Sequence, residues 1–233
     1  MAGINAKWGD RWAIIGATGS GKTVFCRQLL IELANATRGQ FPIYIIDSKA
    51  AGDFKHFTRK GVGVHYQTQN LPPLYNKDRS PFIVWTPDED DTDLYNDFFF
   101  RIYQNARKNA QPALIYIDEL GSITNARGTQ FPRYYDILLK QGRGMAGGGV
   151  GVISTTQSPS FIPPNLLRQA THIVRMRLND EWDAKKLAGQ LGKESATKEP
   201  TDPFGFYYRN CTKPRKTNPT VYYKNMQEFF TTE

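Results

Sequence analysis

Apolar residues in this chain gather in short unbroken runs, and most of these runs end on polar residues of definite chemistry. Trp12-Ala13-Ile14-Ile15 leads into a glycine-rich turn, and Ile43-Tyr44-Ile45-Ile46 leads into Asp47-Ser48-Lys49. Ala113-Leu114-Ile115-Tyr116-Ile117 ends in Asp118-Glu119, and Val150-Gly151-Val152-Ile153-Ser154 ends in Thr155-Thr156-Gln157. Phe82-Ile83-Val84-Trp85 is a further run, and residues 171–178 have the same character. Apolar runs of this length without alternation predict strands buried on both faces. Between them the spacing widens to a helical period, which predicts helices over 22–36, 92–109, 132–141, 165–169 and 181–191. The acidic run Asp88-Glu89-Asp90-Asp91 precedes the second of these helices and suits the positive end of its dipole. Residues 61–81 are rich in loop-forming residues, and two short strands are expected at 204–208 and 220–223. Buried strands alternating with helices predict an α/β fold: a mostly parallel central sheet with helices on both faces. Residues 1–192 form the expected core, and residues 193–233 a basic C-terminal extension whose short strands pack on it.

Composition narrows the class. The chain has 233 residues, enough for one well-buried α/β domain and short for two. A hydrophobic content of 39% excludes a disordered chain, and no apolar run approaches a membrane span. No charged-then-apolar leader precedes the glycine turn, so no removable signal is expected. Cys26 and Cys211 lack metal-ligand spacing, which favours a reducing, cytoplasmic setting with Cys26 as a small core residue. The net charge of +8 is uneven. Residues 1–120 carry 14 Lys and Arg against 13 Asp and Glu, whereas residues 121–233 carry 16 against 9. The second half therefore has the balance of a polyanion-binding surface, or of a well-solvated one.

The first polar turn is Gly16-Ala17-Thr18-Gly19-Ser20-Gly21-Lys22-Thr23, a complete phosphate-binding loop between a strand and a helix. Glycines turn the chain, and the free amides of the helix start face the phosphates of a nucleotide. Lys22 supplies charge to the β- and γ-phosphates, and Thr23 supplies a hydroxyl to Mg²⁺. The apolar strand ending in Asp118-Glu119 is the matching Walker B pattern. Asp118 is the expected Mg²⁺ partner, and Glu119 the general base for water. Gln157, at another strand end, has the chemistry to sense a γ-phosphate; position alone equally allows a glutamine bonded to loop backbone. Hydrolysis also calls for a cation facing the transition state, with Arg143 the first candidate and Arg175 and Arg177 the alternatives.

These motifs resemble those of the FtsK/HerA branch of RecA-like, additional-strand (ASCE) P-loop ATPases. The specific piece is Arg143-Gly144-Met145, the strand 150–156 and Gln157-Ser158-Pro159, together with Leu166 to Arg175 and Asn179-Asp180. Asp47-Ser48-Lys49 resembles the Asp-Pro-Lys of FtsK-type motors, with serine replacing proline. The resemblance covers residues 8–190. It implies an ATP- and Mg²⁺-dependent, homo-oligomeric (hexameric) ring that translocates double-stranded DNA, with the arginine supplied by the neighbouring subunit. With little chain before the phosphate loop, the sequence is most similar to genome-packaging ATPases of tailless, membrane-containing icosahedral viruses. That implies action in the host cytoplasm, docking at the virion vertex, and a capsid or membrane vertex protein as partner. The same resemblance makes Asn125, Arg127 and Thr129 channel-loop candidates for gripping DNA, and adds Lys193, Lys198, Lys213, Arg215 and Lys216 to that footprint. The alternative from the residues is a phage-assembly or protein-export ATPase that shares the phosphate loop and does not move DNA.

Overall fold

The computed structural model describes residues 6–48, 52–55, 57, 63–67, 71–72, 81–87, 92–124 and 130–232. The strands are β1 (Arg11–Ile15), β2 (Ile43–Asp47), β3 (Gly63–Gln67), β4 (Phe82–Thr86), β5 (Ala113–Asp118), β6 (Val150–Thr156), β7 (His172–Arg175), β8 (Phe206–Asn210) and β9 (Val221–Tyr223). The helices are α1 (Lys22–Ala36), α2 (Thr92–Asn109), α3 (Arg133–Gln141), α4 (Asn165–Gln169), α5 (Glu181–Leu191), α6 (Lys193–Thr197) and α7 (Met226–Thr232). All nine strands form one sheet in the order β3-β4-β2-β5-β6-β1-β7-β8-β9. The first seven are parallel, and β8 and β9 add on antiparallel.

Alternation along the strands feeds two cores, because successive side chains of a strand point to opposite faces. Ala13 and Ile15 of β1 face one side, with α2, α3 and α5; Trp12 and Ile14 face the other, with α1. On α1, Phe25, Cys26, Leu29, Leu30 and Leu33 are buried. Phe25 meets Phe206 and Phe229 at ring-centroid distances of 5.3 and 5.6 Å. Each such side chain contributes roughly 1.5–3 kcal/mol by leaving water. Cys26 is fully enclosed and its thiol is pushed up by that burial, in keeping with a packing role.

The structure departs from the sequence expectations in three places. Residues 61–81, expected as loop, contain β3. Among the described residues it pairs only with β4, and its Gly63-Val64-His65-Tyr66-Gln67 lacks the apolar run that marks a strand buried on both faces. The strand expected over 204–208 lies instead at Phe206–Asn210, leaving Phe204 before it; β8 and β9 continue the central sheet, and α7, whose Phe229 is fully buried, closes a face. The expected strand over 171–178 is regular only from His172 to Arg175. Beyond Arg175 its backbone turns to the phosphate loop. The acidic run 88–91 lies outside the described residues. Among the described residues no helix is long and apolar enough to cross a membrane.

Candidate nucleotide site

The carboxyl ends of β1, β5 and β6 converge, because Ile15 is in register with Thr156 and Ile117 with Ser154. β6 lies between the strand that feeds the phosphate loop and the strand that ends in Asp118. Ligands of parallel sheets lie beyond such ends. The loop is tied to strands on both sides: Gly16 N–H donates to the Thr156 carbonyl (3.1 Å), and Ala17 N–H donates to the Arg177 carbonyl (2.7 Å). Gly16 has no room for a side chain, since a Cβ there would lie 2.6 Å from Ser20 Oγ and 2.8 Å from Met176 Cβ. Gly19 and Gly21 have φ of 75° and 96°, which favours glycine. The Lys22 ammonium folds back and donates to the carbonyls of Gly16 (2.5 Å) and Ala17 (2.9 Å). Its charge therefore already lies over the start of the loop.

Asp118 is nearly buried, and Tyr116 Oη donates to its Oδ1 at 2.8 Å. Tyr116 lies two residues back on the same strand face, so this buttress follows from the strand period. Ser48 Oγ donates to the Asp118 carbonyl at 2.8 Å, which ties the end of β2 to the site. Glu119 has φ 74° and ψ 92°, a strained conformation for a residue with a side chain. Its N–H donates to Thr155 Oγ1 of β6 at 3.0 Å, and Thr155 Oγ1 also lies 3.5 Å from Asp118 Oδ1. The sequence reading assigned no role to Thr155 or Tyr116; the available signals were a hydroxyl one residue from the end of β6 and a tyrosine two residues before the aspartate.

Thr18 Oγ1 donates to Gln157 Oε1 at 2.7 Å, so the amide side chain contacts the phosphate loop itself. Ala17 and Gln157 also line a cleft of about 560 Å³ with Ser160, Asn179, Asp180 and Trp182. The arginine candidates occupy three different settings. Arg177 is exposed beside the loop of its own chain, and its carbonyl buttresses Ala17. Arg175 is fully buried: its guanidinium donates to the Lys198 carbonyl at 2.7 Å, pairs with Glu199, and lies 5.6 Å from the Tyr207 ring centroid. That enclosure corrects its standing as a residue offered to a neighbouring subunit. Arg143 is half-exposed at the opposite end of the sheet, 3.8 Å from Asp10. The five residues of β1, roughly 17 Å of strand, separate it from its own phosphate loop.

Lys213, Arg215 and Lys216 lie on the β8–β9 connection and are exposed. Because β8 runs antiparallel to β7, this connection sits at the end of the sheet away from the phosphate loop. Lys213 shares a cleft of about 290 Å³ there with Arg143, Asp10 and Lys7. Asn125, Arg127 and Thr129 lie outside the described residues.

The donor set suits a Mg²⁺ ion. The Thr23 hydroxyl at the start of α1 and the nearly buried Asp118 carboxylate, oriented by Tyr116, offer only hard oxygen ligands. Thr23 and Asp118 are the residues that would hold it.

No family model matches the chain. Peroxisomal ATPase PEX6 of Neurospora crassa and of Colletotrichum orbiculare are each 38% identical over 79 residues, which is 29% of this chain. The chain spans about 6% of the length of these curated relatives. Among solved structures, the DNA-packaging ATPase B204 of Sulfolobus turreted icosahedral virus superimposes with a TM-score of 0.72 at 18% identity, over 94% of this chain and 99% of that one. B204 of Sulfolobus turreted icosahedral virus 2, in complex with ATP-gammaS, gives 0.72 at 16% identity, over 93% and 98%. The cytoplasmic domain of the type VII secretion ATPase EccC of Thermomonospora curvata gives 0.61 at 17% identity, over 94% of this chain and 25% of that one. The chain thus has the RecA-like P-loop ATPase fold expected from its motifs, and in fold it is similar to a viral genome-packaging ATPase.

Proposed function

We propose that this chain is an ATP-hydrolysing motor that moves double-stranded DNA, packaging a viral genome into a preformed capsid. The observation that carries the reading is the convergence at one sheet end of the phosphate loop, the strained Glu119, the oriented Asp118 and Gln157, which is 2.7 Å from Thr18. The parts of a hydrolytic site carried by three separate segments of the chain, 16–23, 118–119 and 157, meet there.

The phosphates of ATP lie on residues 16–23, and Lys22 exchanges its contacts with loop carbonyls for the β- and γ-phosphates. Mg²⁺, when bound by Thr23 and Asp118, neutralises phosphate charge. Glu119 accepts a proton from the attacking water, and its backbone is held by Thr155. Gln157, already on the loop, registers whether a γ-phosphate is present. Arg143, too far from its own loop, serves the nucleotide of the adjacent subunit in a homo-oligomeric ring, expected to be a hexamer. The basic connection bearing Lys213, Arg215 and Lys216 binds DNA phosphates without reading sequence. The motor works in the host cytoplasm, docked at a virion vertex through a capsid or membrane vertex protein. The DNA-packaging role of B204, whose fold matches nearly the whole of both chains, supports this reading.

The test is steady-state ATP hydrolysis with and without random-sequence duplex DNA, with Glu119→Gln as the blank. The expected result is stimulation by any duplex, with Glu119→Gln retaining ATP binding and losing turnover. A second reading, a protein-export ATPase, draws on the fold likeness to EccC. Hydrolysis by the assembled ring that ignores DNA would replace the first reading with the second.

A further inference from the structure

The phosphate loop has a direction. The Lys22 ammonium lies on the carbonyls of Gly16 and Ala17, so the γ end of a bound triphosphate is at the start of the loop, beside Gln157. The amide ladder of α1 starts with Phe25 N–H donating to the Gly21 carbonyl at 3.0 Å. The amides of Thr23 and Val24 precede that bond and lie at the other end of the phosphate chain. Ribose and base therefore continue past Val24, away from Gln157 and Asp118.

Two exposed apolar side chains stand at that end. Val24 is 51% exposed and Phe204 57% exposed, among only four large hydrophobic residues open to solvent in the described part of the chain. The Phe204 ring reaches within 3.4 Å of the point where a Cβ on Gly21 would sit, so it rests against the start of α1. Val24 is three residues beyond Gly21 and shares its helix face.

The backbone holds Phe204 in place from several sides. Buried Arg175 clamps the chain upstream at Lys198 and Glu199. Tyr222 Oη of β9 donates to the Asp202 carboxylate at 2.8 Å and accepts from the Asp202 N–H at 3.0 Å. Gly205 N–H donates to the Asp202 carbonyl at 3.0 Å. A Cβ on Gly205 would lie 2.2 Å from Tyr222 Oη, so the loop is closed tightly onto β9. Downstream, Phe206 is fully buried against Phe25. A ring presented to solvent on so constrained a loop, next to a phosphate site, is preorganised for a flat apolar partner.

We infer that Phe204, with Val24, forms the platform on which the purine base of the bound nucleotide stacks. The inference rests on reading residues 16–23 as a nucleotide loop. It also gives the C-terminal strands a task in the site, because β8, β9 and Arg175 hold the loop that carries the ring.

The test compares binding of Mg-ATP and of Mg-tripolyphosphate, which has the phosphates and no base, by calorimetry. Phe204→Ala is expected to weaken ATP roughly ten- to a hundredfold and to leave tripolyphosphate unchanged. Phe204→Trp is expected to restore ATP affinity and to show fluorescence quenching by ATP that tripolyphosphate does not produce. Trp182→Ala, in the cleft at the γ end, is expected to bind ATP as the native protein does. Unchanged ATP affinity in Phe204→Ala overturns the platform, as does equal weakening of both ligands, which would place the effect in the loop. Loss of ATP affinity in Trp182→Ala alone would place the base in the other cleft. Lys22→Ala separates the two levels: if it leaves ATP binding intact, the nucleotide reading of the loop fails; if it removes both ligands while Phe204→Ala removes neither, only the platform fails.

Discussion

Replacing Thr155 by valine keeps the volume of a fully buried side chain and deletes one oxygen. That oxygen accepts from the Glu119 N–H at 3.0 Å and lies 3.5 Å from Asp118 Oδ1. A donor left without its acceptor costs about 1–3 kcal/mol. Glu119 is held at φ 74°, and a strained backbone of this kind costs of order 1–3 kcal/mol. The two magnitudes are alike, so this hydrogen bond offsets the strain on the N–H side while Ser122 N–H (3.2 Å) and Oγ (2.9 Å) hold the Glu119 carbonyl, and without it the Glu119 peptide is expected to shift. In the proposed mechanism its carboxylate then moves relative to the water it would activate. A displacement of about 1 Å at a reacting group costs on the order of a hundredfold in rate. Thr155→Val is therefore expected to lower the turnover of ATP roughly a hundredfold. ATP affinity should change less than about threefold, because the loop ties run through Thr156 and Arg177 rather than Thr155. Thr155→Ser, which restores the oxygen, is expected to recover most of the rate. Steady-state hydrolysis and equilibrium ATP binding on the three proteins check this. A valine variant that turns over at the native rate, or one whose affinity falls as much as its rate, would refute the role given to this hydrogen bond.

Other consequences are accessible to simple variants. Gly16→Ala places a Cβ 2.6 Å from Ser20 Oγ and 2.8 Å from Met176 Cβ, so the loop must shift; a loss of about 1–3 kcal/mol in denaturant melts and at least tenfold weaker ATP binding are expected. Asp10 is nearly buried, which by itself raises its carboxyl pKa, but His172, the Lys7 N–H and the Arg143 charge together bring it below the ordinary 3.8. The depressed value means that Asp10 stabilises the fold above about pH 4, and that this contribution fades as pH falls through the folded-state value. Asp10→Asn should accordingly be destabilised at pH 7, with the gap to the native protein narrowing in melts at pH 3; a constant gap would remove the linkage.

The alternation of buried strand and helix, the phosphate loop and the pair Asp118-Glu119 were legible in the chain because they depend on neighbours in sequence. A run such as Ala113–Ile117 declares burial on both faces by itself, and glycines at 16, 19 and 21 declare a turn into a helix. The partners of each strand are a different matter. β1 pairs with β6 and β7, well over a hundred residues away, and local periodicity reports burial without naming the neighbour. The place of β6 between β1 and β5 therefore came only from the tertiary structure, and with it the contact of Thr155 with Glu119 and of Gln157 with Thr18. β3 escaped notice because a strand paired on one side needs no continuous apolar run. In the sequence Arg175 is as available as any arginine; the packing of β7 against β8 encloses it. Phe204 reads as the first residue of a strand that in the structure begins at Phe206, and its position against Gly21 arises from strands that turn back antiparallel to complete the sheet. Hydrophobic pattern and motif chemistry thus determined which elements and groups exist. Which groups meet was decided by the long-range pairing of parallel strands, which no local property of the chain encodes.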